Sequence, residues 1–272
     1  MRLLFVTDLH GSRRKYDEVL AQATARHVDV VVNGGDMLPN EGNLFRQNTF
    51  ISGFLRRHFE RFEQAGIPYL CCLGNDDLRI WDELFDATCR QYRGIHNLAQ
   101  RKVTVNGAAF IGMNWVTDYP FVLKDRCRMD ARDFVFPPQF GPALLSGPRG
   151  WTEVDDWFAC ARRLPTLADE LACLPRPDRA RRNVYVIHMP PCRLGLDLCT
   201  GGLRVGSPAV YQFLRAVQPT LSLHGHIHES PDVGGVWQAM LGNTVCVQPG
   251  QPDRLAYVLA DLETMRIERH VV

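Results

Sequence analysis

Five short apolar runs occur along the chain, and each of them ends in a cluster of polar side chains. The runs begin at Leu3, Val28, Ile67, Val184 and Leu221. Short runs that are rich in β-branched residues are typical of strands buried on both faces. Because helical patterns lie between several of them, we predict an α/β fold with a largely parallel sheet at its start.

Local patterns predict the elements that connect these strands. Apolar residues three and four positions apart indicate helices over residues 16–23, with Ser12 as N-cap, over 50–62 and over 208–214. Hairpin and late-strand patterns cover residues 103–110, the positions that flank 242–243, and residues 255–262.

The polar clusters contain the side chains from which we infer a function. They contribute Asp8, His10, Asp36, Asn75, His188, His226 and His228. In open α/β sheets, ligands gather at the carboxyl ends of the strands, so we expect clusters from distant parts of the chain to meet at one site. Asp8 and His10 are two positions apart, and an extended backbone would point both side chains to the same side. The same holds for His226 and His228.

This mixture of side chains predicts the kind of ligand that the site holds. Two carboxylates, one amide oxygen and four imidazoles suit manganese, iron, cobalt, nickel or zinc better than calcium or magnesium, which prefer shells made only of oxygen. Seven ligands exceed the needs of one tetrahedral ion. They suit two divalent transition-metal ions that share a bridging carboxylate at a separation of about 3.5–4 Å.

In their order along the chain, the clusters resemble the motifs of the calcineurin-like metallophosphoesterase superfamily, and most of all its small single-domain bacterial branch. The matching pieces are Asp8-Leu9-His10, Gly34-Gly35-Asp36, Gly74-Asn75, His188 and Gly225-His226-Ile227-His228. The resemblance implies a four-layer α/β/β/α sandwich. It implies the following metal ligands: Asp8, His10 and His228 for one ion, Asn75, His188 and His226 for the other, and Asp36 as the bridge. It also implies that a metal-bridging hydroxide attacks phosphorus.

The third motif departs from the family pattern at one position. Most members have a histidine after the asparagine, and the resemblance implies that this histidine protonates the leaving group; here the residue is Asp76. Asp76 and Asn75 are therefore the candidate catalytic residues, although nearby cations would oppose the raised pKa that a general acid needs. Two divalent ions with Asp8 and Asp36 leave a charge of about +2, which an ionised Asp76 lowers to about +1. A phosphomonoester dianion loses more attraction from this change than a diester monoanion, so we predict a preference for phosphodiesters.

The sequence thus predicts a dinuclear metal-dependent phosphoesterase that acts on a small-molecule phosphoester. Two alternatives remain open. One is a nuclease of the same superfamily, which the net charge of +1 and the lack of an evident appended nucleic-acid-binding region disfavour. The other is a metal-binding scaffold without turnover, which the aspartate at position 76 keeps open.

We expect residues 1–272 to form a single domain, because the polar clusters run from Asp8 to His228 without a visible boundary. Residues 114–150 show no clear period, and we expect a long irregular insertion placed where it can cover the site. Its aromatic side chains have two interpretations, a base-stacking lid over the metals or packing that pins the loop to the body. They are Trp115, Tyr119, Phe121, Phe134, Phe136 and Phe140. A basic loop is predicted at residues 175–182.

Cysteine usage and hydropathy bear on where the protein works. The nine cysteines are scattered and form no CxxC pair, which is typical of a reduced, cytoplasmic protein. No apolar run approaches the roughly 18 residues that span a bilayer, and the first run turns polar too early for a secretory signal, so we expect no membrane partner. No motif assigns an oligomeric state.

Overall fold

The computed structural model describes residues 1–177 and 181–272, so the middle of the predicted basic loop lies outside the described residues. The strands are β1 (Arg2–Val6), β2 (Val30–Asn33), β3 (Tyr69–Cys71), β4 (Ile95–Asn97), β5 (Lys102–Val105), β6 (Ala108–Met113), β7 (Val116–Thr117), β8 (Cys127–Arg128), β9 (Ala143–Gly147), β10 (Gly150–Val154), β11 (Asn183–Ile187), β12 (Leu221–Leu223), β13 (Gln238–Leu241), β14 (Thr244–Val247), β15 (Ala256–Asp261) and β16 (Ile267–Val271). The α-helices are α1 (Arg13–Ala25), α2 (Gln47–Thr49), α3 (Arg56–Ala65), α4 (Asp82–Cys89), α5 (Trp157–Arg163), α6 (Leu167–Cys173), α7 (Pro208–Val217) and α8 (Ser230–Gly234).

Two six-stranded sheets form the frame of the molecule. The first has the strand order β16-β15-β1-β2-β3-β4, and the second has the order β13-β14-β12-β11-β6-β5. The central strands of both sheets are parallel. Antiparallel strands complete one edge of the first sheet and both edges of the second, whereas β4, at the other edge of the first sheet, pairs in parallel with β3. Because parallel strands present their carboxyl ends at the same edge, each sheet brings several chain segments to one side of the molecule.

Three layers of buried apolar side chains hold the sheets and helices together. The middle layer takes side chains from both sheets, for example Phe5 and Val32 from the first and Val186 and Leu223 from the second. A second layer packs the first sheet against α1 and α3, and a third packs the second sheet against α5, α6 and α7. The alternation of side chains along each strand supplies both faces. The predicted α/β fold and its four-layer α/β/β/α sandwich are therefore confirmed.

The local predictions hold at most positions. Helix α7 begins with Pro208 after Ser207, whose hydroxyl accepts the Val210 N–H, and the turn at Asn106-Gly107 joins β5 to β6 with positive φ at both residues. The helical run predicted over 50–62 extends through α2, a π-helical segment (Phe50–Leu55) and α3. The Ser12 residue precedes α1 as predicted, but its side chain makes no capping hydrogen bond.

Residues 114–150 combine irregular backbone with short strands. Strands β7 and β8 pair with each other, and β9 pairs with β10. Many polar side chains of this segment are buried, among them Asn114, Asp118, Lys124 and Arg126. Among the described residues, no helix is long and apolar enough to cross a bilayer.

Candidate metal centre

The predicted site residues follow the carboxyl ends of five central strands. Asp8 and His10 follow β1, Asp36 follows β2, and Asn75 follows β3 in the first sheet; His188 follows β11, and His226 and His228 follow β12 in the second. The two sheets therefore meet at one edge of the sandwich, where these side chains are brought together.

The prediction of an extended backbone at the two pairs of site residues, one after β1 and one after β12, is wrong. Strand β1 ends at Val6, and Asp8 and His10 both adopt the left-handed region, with φ of 55° and 43°. Asp36 and His226 are left-handed as well, with φ of 50° and 70°. Backbone hydrogen bonds that curl the chain, such as Asp8 N–H to the Gly35 carbonyl at 2.9 Å, replace extended pairing. Such residues cost on the order of 1 kcal/mol or more each and tend to cluster at functional sites.

The first ligand group contains Asp36, His188 and His226, whose potential ligand atoms lie within 4.8 Å of one another. The amide oxygen of Asn75 joins them, at 2.9 Å from His188 Nε2 and 2.6 Å from His226 Nδ1. His188 Nδ1 lies 2.9 Å from the Gly34 carbonyl, which can accept only from a protonated nitrogen. When the ring is neutral, as a metal ligand must be, this bond places its proton on Nδ1 and leaves the Nε2 lone pair facing the other acceptor atoms. Such crowding of acceptor atoms fits a bound cation.

The second ligand group contains Asp8, His10 and Asp36, again within 4.8 Å. Asp8 Oδ1 accepts the His226 N–H at 3.0 Å, but Asp8 Oδ2 and both nitrogens of His10 are buried and have no hydrogen-bond partner among the described residues. Buried polar atoms without partners are costly and require an explanation. A metal ion would satisfy them, and Asp36 belongs to both groups, as a bridging carboxylate must.

His228 lies at the rim of this centre. Half of its side chain is exposed, its Nδ1 lies 3.7 Å from Glu229 Oε2, and its ring centroid is 5.8 Å from that of His10. It belongs to neither of the ligand groups found among the described residues. The structure therefore brings the other predicted side chains together and leaves His228 adjacent to them.

Glycines allow the strand ends to approach so closely. A Cβ atom on Gly225 would lie 2.1 Å from Thr7 Oγ1 and 2.7 Å from Asp8 Oδ2. A Cβ atom on Gly74 would lie 2.2 Å from Asp36 Oδ1. A side chain at either position would displace a carboxylate of the site, so both positions require glycine, which has no Cβ atom.

Burial and charge shift the pKa values of these groups in opposite directions. Burial opposes ionisation of Asp36, but His188 and the hydrogen bonds to the carboxylate outweigh it and hold the pKa of Asp36 well below its ordinary value. Burial would lower the pKa of His188, yet the Asp36 and Asp8 carboxylates raise it to about 9. Burial and the neighbouring His188 lower the pKa of His226 to about 3. Without metal, the centre thus keeps a cation on His188.

The sequence from residue 1 to residue 230 matches the family model described as calcineurin-like phosphoesterase. The chain belongs to this family. Members of this family depend on two metal ions, and the structure contains two candidate ligand groups that share Asp36. The resemblance stated from the motifs is therefore confirmed.

Solved structures with low sequence identity share the fold. A protein of Thermus thermophilus is similar with a TM-score of 0.60 and 18% identity, over 99% of this chain and 98% of that one. Another crystal structure has a TM-score of 0.66 and 17% identity, over 99% and 98% of the two chains. A dimetal phosphatase from Danio rerio has a TM-score of 0.50 and 10% identity, over 96% and 92%. A comparison with curated proteins finds no match.

Asp76, which replaces the usual histidine of the family, lies beside the second ligand group. Its Oδ1 accepts from the Asn75 amide at 2.9 Å, its Oδ2 accepts from Asn40 at 3.3 Å, and Oδ2 lies 3.8 Å from His10 Nδ1. Burial and the Asp36 charge raise the pKa of Asp76 to about 6 in the metal-free protein. The hydrogen bond from the Asn75 amide to Asp76 also orients the Asn75 side chain, so that its amide oxygen faces His188.

One residue that supports the centre, Arg126, was not identified as a site residue from the sequence. Arg126, which is buried, donates from Nε to the Gly74 carbonyl at 2.8 Å and from its terminal nitrogens to Asp82 at 2.5 and 3.2 Å. The only signal in the sequence was a dense run of charges around Cys127, within a segment that lacks periodicity. Arg126 thereby ties the insertion to the loop that presents Asn75.

Two neighbours of the motifs hold the surrounding loops in place. Asp77 accepts backbone N–H bonds from Gly74, Met37 and Leu38 at 2.7–2.9 Å, so it joins the loops after β2 and β3 to each other. His224 points away from the centre and contacts the Ile187 carbonyl at 2.9 Å.

Proposed function

We propose that this chain hydrolyses phosphoesters at a dinuclear metal centre. The proposed ligands are Asp8, His10 and His228 at one position, Asn75, His188 and His226 at the other, and Asp36 between them. One observation carries the proposal: two ligand groups share Asp36, and one of them includes three buried potential ligand atoms that have no hydrogen-bond partner among the described residues. These atoms are Asp8 Oδ2 and the two ring nitrogens of His10. A protein interior rarely leaves such atoms unpaired unless a ligand completes them.

Two divalent ions bound there would lower the pKa of a water molecule and neutralise charge on the phosphoryl oxygens. The protein's own residues fix the orientation of the ligands. The Gly34 carbonyl holds the His188 ring, the backbone N–H of Asp76 donates to Asp36 Oδ1 at 2.8 Å, and the Asn75 amide is turned by Asp76. Ligands restrained in this way lose little entropy when a metal or a substrate binds.

Within this reaction class we propose a preference for phosphodiesters. The carboxylate of Asp76 adds a negative charge at the centre when it ionises, and 36% of its side chain is exposed, so it faces the space where a substrate would bind. This charge disfavours a monoester dianion more than a diester monoanion. Two cations bound beside Asp76 would favour its ionised form, so we propose that it acts through its charge rather than as the proton donor to the leaving group.

The donor set supports a transition-metal pair rather than calcium or magnesium. Imidazole nitrogens are proposed ligands at both positions, and they favour manganese, iron, cobalt, nickel or zinc. We also propose a reducing, cytoplasmic location, and the nine free cysteines, five of them buried, support it.

Metal analysis combined with two chromogenic substrates tests the proposal. Protein that has been stripped of metal and then titrated with manganese should bind two ions per chain and hydrolyse bis(p-nitrophenyl) phosphate faster than p-nitrophenyl phosphate. Asp36→Asn should lose both ions and at least about 100-fold in turnover. Glu41→Gln, which removes an exposed carboxylate on a neighbouring loop, is the matched control and should retain both.

Three other results of these measurements would contradict the proposal or favour the nuclease or the scaffold. Faster hydrolysis of the monoester would contradict the diester preference. Cleavage of oligonucleotides with strongly salt-dependent binding would identify a nuclease. A protein that binds two ions and turns over none of these esters would be a scaffold.

A further inference from the structure

A strip of aromatic rings connects the metal centre with the protein surface. The ring centroid of Tyr119 lies 5.8 Å from that of His226, Phe121 lies 5.9 Å from Tyr119, and Phe140 lies 5.6 Å from Phe121. Exposure increases along this series, from the half-buried Tyr119 to 62% for Phe121 and 72% for Phe140. We refer to Tyr119, Phe121 and Phe140 as the aromatic strip.

The aromatic strip rests on a network of hydrogen bonds and one buried ion pair. The Phe140 N–H donates to the Pro120 carbonyl at 2.9 Å, and the Lys124 N–H donates to the Leu144 carbonyl at 2.9 Å. The Lys124 ammonium forms a fully buried ion pair with Asp118 at 3.0 Å. These bonds join the two halves of the insertion, so Phe121 and Phe140 project from a rigid support, which reduces the entropy lost when a ligand binds.

The other phenylalanines of the insertion are engaged by neighbours. Phe134 and Phe136 contact each other at 5.2 Å, and Phe136 packs on Phe158 at 4.5 Å. They fit the interpretation that aromatic residues pin the loop to the body. Phe121 and Phe140 do not, because most of each side chain faces solvent at a cost in hydration.

We propose that Phe121 and Phe140 bind the nucleobase of a phosphodiester whose phosphate lies at the metal centre. The inference rests on the proposed function and adds the class of substrate. Aromatic rings stack on any base because every base presents a π-face, and the nucleobase is the planar aromatic group that biological phosphodiesters carry. Ring-to-ring steps of 5.8 and 5.9 Å lead from His226 through Tyr119 to Phe121, so a ligand held by its phosphate at the metal centre would reach the exposed rings by extending along Tyr119.

Two diesters with the same leaving group test the inference by turnover. The p-nitrophenyl ester of thymidine monophosphate carries a base, whereas methyl p-nitrophenyl phosphate does not. The metal-loaded protein should favour the thymidine ester in kcat/KM by about tenfold or more. The double variant Phe121→Ser with Phe140→Ser should lose this preference and leave kcat/KM for the methyl ester unchanged. Met240→Ser, which removes an exposed side chain from β13, is the control and should behave as the unmodified protein.

A binding measurement separates this inference from the proposed function. Calorimetry with adenosine monophosphate and with ribose 5-phosphate, on the metal-loaded protein, should show tighter binding of the nucleotide, and the double variant should abolish the difference. If no ester is hydrolysed but this difference holds, the proposed function fails and the base-binding strip stands. If both diesters are hydrolysed and the double variant leaves their ratio unchanged, the inference is overturned while the function stands. A double variant that sediments as a smaller species would show instead that the strip joins copies of the chain, which also overturns it.

Discussion

Acidification should destabilise this protein through one buried histidine, His58. Its imidazole lies in the apolar layer between the first sheet and α3, with the rings of Tyr16 and Phe62 each 4.9 Å away and Tyr69 at 5.5 Å. Both ring nitrogens are buried and have no hydrogen-bond partner among the described residues. Burial, with a smaller contribution from Arg61, lowers the pKa of His58 from 6.5 to about 3.

The lowered pKa of His58 determines how the stability of the fold depends on pH. Above pH 6.5 the imidazole is neutral in both the folded and the unfolded protein, so His58 imposes no pH-dependent penalty. As the pH falls below 6.5, the unfolded chain takes up a proton that the folded chain takes up only near pH 3. The free energy of unfolding therefore decreases by about 1.4 kcal/mol per pH unit in this window, or about 2 kcal/mol between pH 8 and pH 5.

Urea unfolding at a series of pH values measures the effect. His58→Phe keeps a ring among its aromatic neighbours and removes the titrating nitrogens, so its loss of stability between pH 8 and pH 5 should be about 2 kcal/mol smaller than that of the unmodified protein. The exposed His27→Gln is the control for loss of one imidazole. If the unmodified protein and His58→Phe show the same pH dependence, the imidazole is either charged or hydrogen-bonded in the folded state, and the reasoning is refuted.

Three further substitutions test the construction of the metal centre. Gly225→Ala should lower the number of bound metal ions and destabilise the fold by about 1–3 kcal/mol. Gly53→Ala, at a helical position with open space around it, should keep both ions and leave the fold at least as stable; two bound ions in Gly225→Ala would contradict the argument. Arg126→Met should cost about 1–3 kcal/mol in the free energy of unfolding, because it leaves the buried Gly74 carbonyl without its donor, and Arg126→Lys should restore part of this loss; equal loss in both variants would show that charge is irrelevant. Asp76→His should raise kcat/KM for p-nitrophenyl phosphate relative to the diester by about tenfold, or about 1.4 kcal/mol, and an unchanged ratio would contradict the charge argument.

The strands and the order of the motifs could be predicted from the sequence because burial on both faces leaves a strong local signal. Val30–Asn33 and Asn183–Ile187 are almost entirely apolar, and the polar residues that follow them in the chain mark the same edge of the sandwich. Such runs identify strands irrespective of what packs against them. The family resemblance depended on the same regularity.

The conformation of the site residues could not be predicted in this way. Alternation along a strand suggested that Asp8 and His10 point together because the backbone is extended, but both are left-handed. Their conformation is imposed by hydrogen bonds to residues after β2, in a separate part of the chain, which no local pattern encodes. The same limit applies to Arg126, whose partner Gly74 is distant in sequence and is contacted through its carbonyl rather than a side chain.

The loop after β3 explains why a changed residue in the third motif need not imply lost activity. The Asp76 N–H is held by Asp36, the Asp76 carbonyl accepts from Gln47 at 2.9 Å, and the next residue, Asp77, accepts three backbone N–H bonds. Arg126 restrains the same loop at Gly74. These restraints act on the backbone and on Asp77, and they are independent of the side chain at position 76. An aspartate at position 76 changes the charge of the centre while the backbone of the loop stays in place. A shift in ester preference is therefore a more direct consequence of this residue than the complete loss of turnover that a scaffold requires.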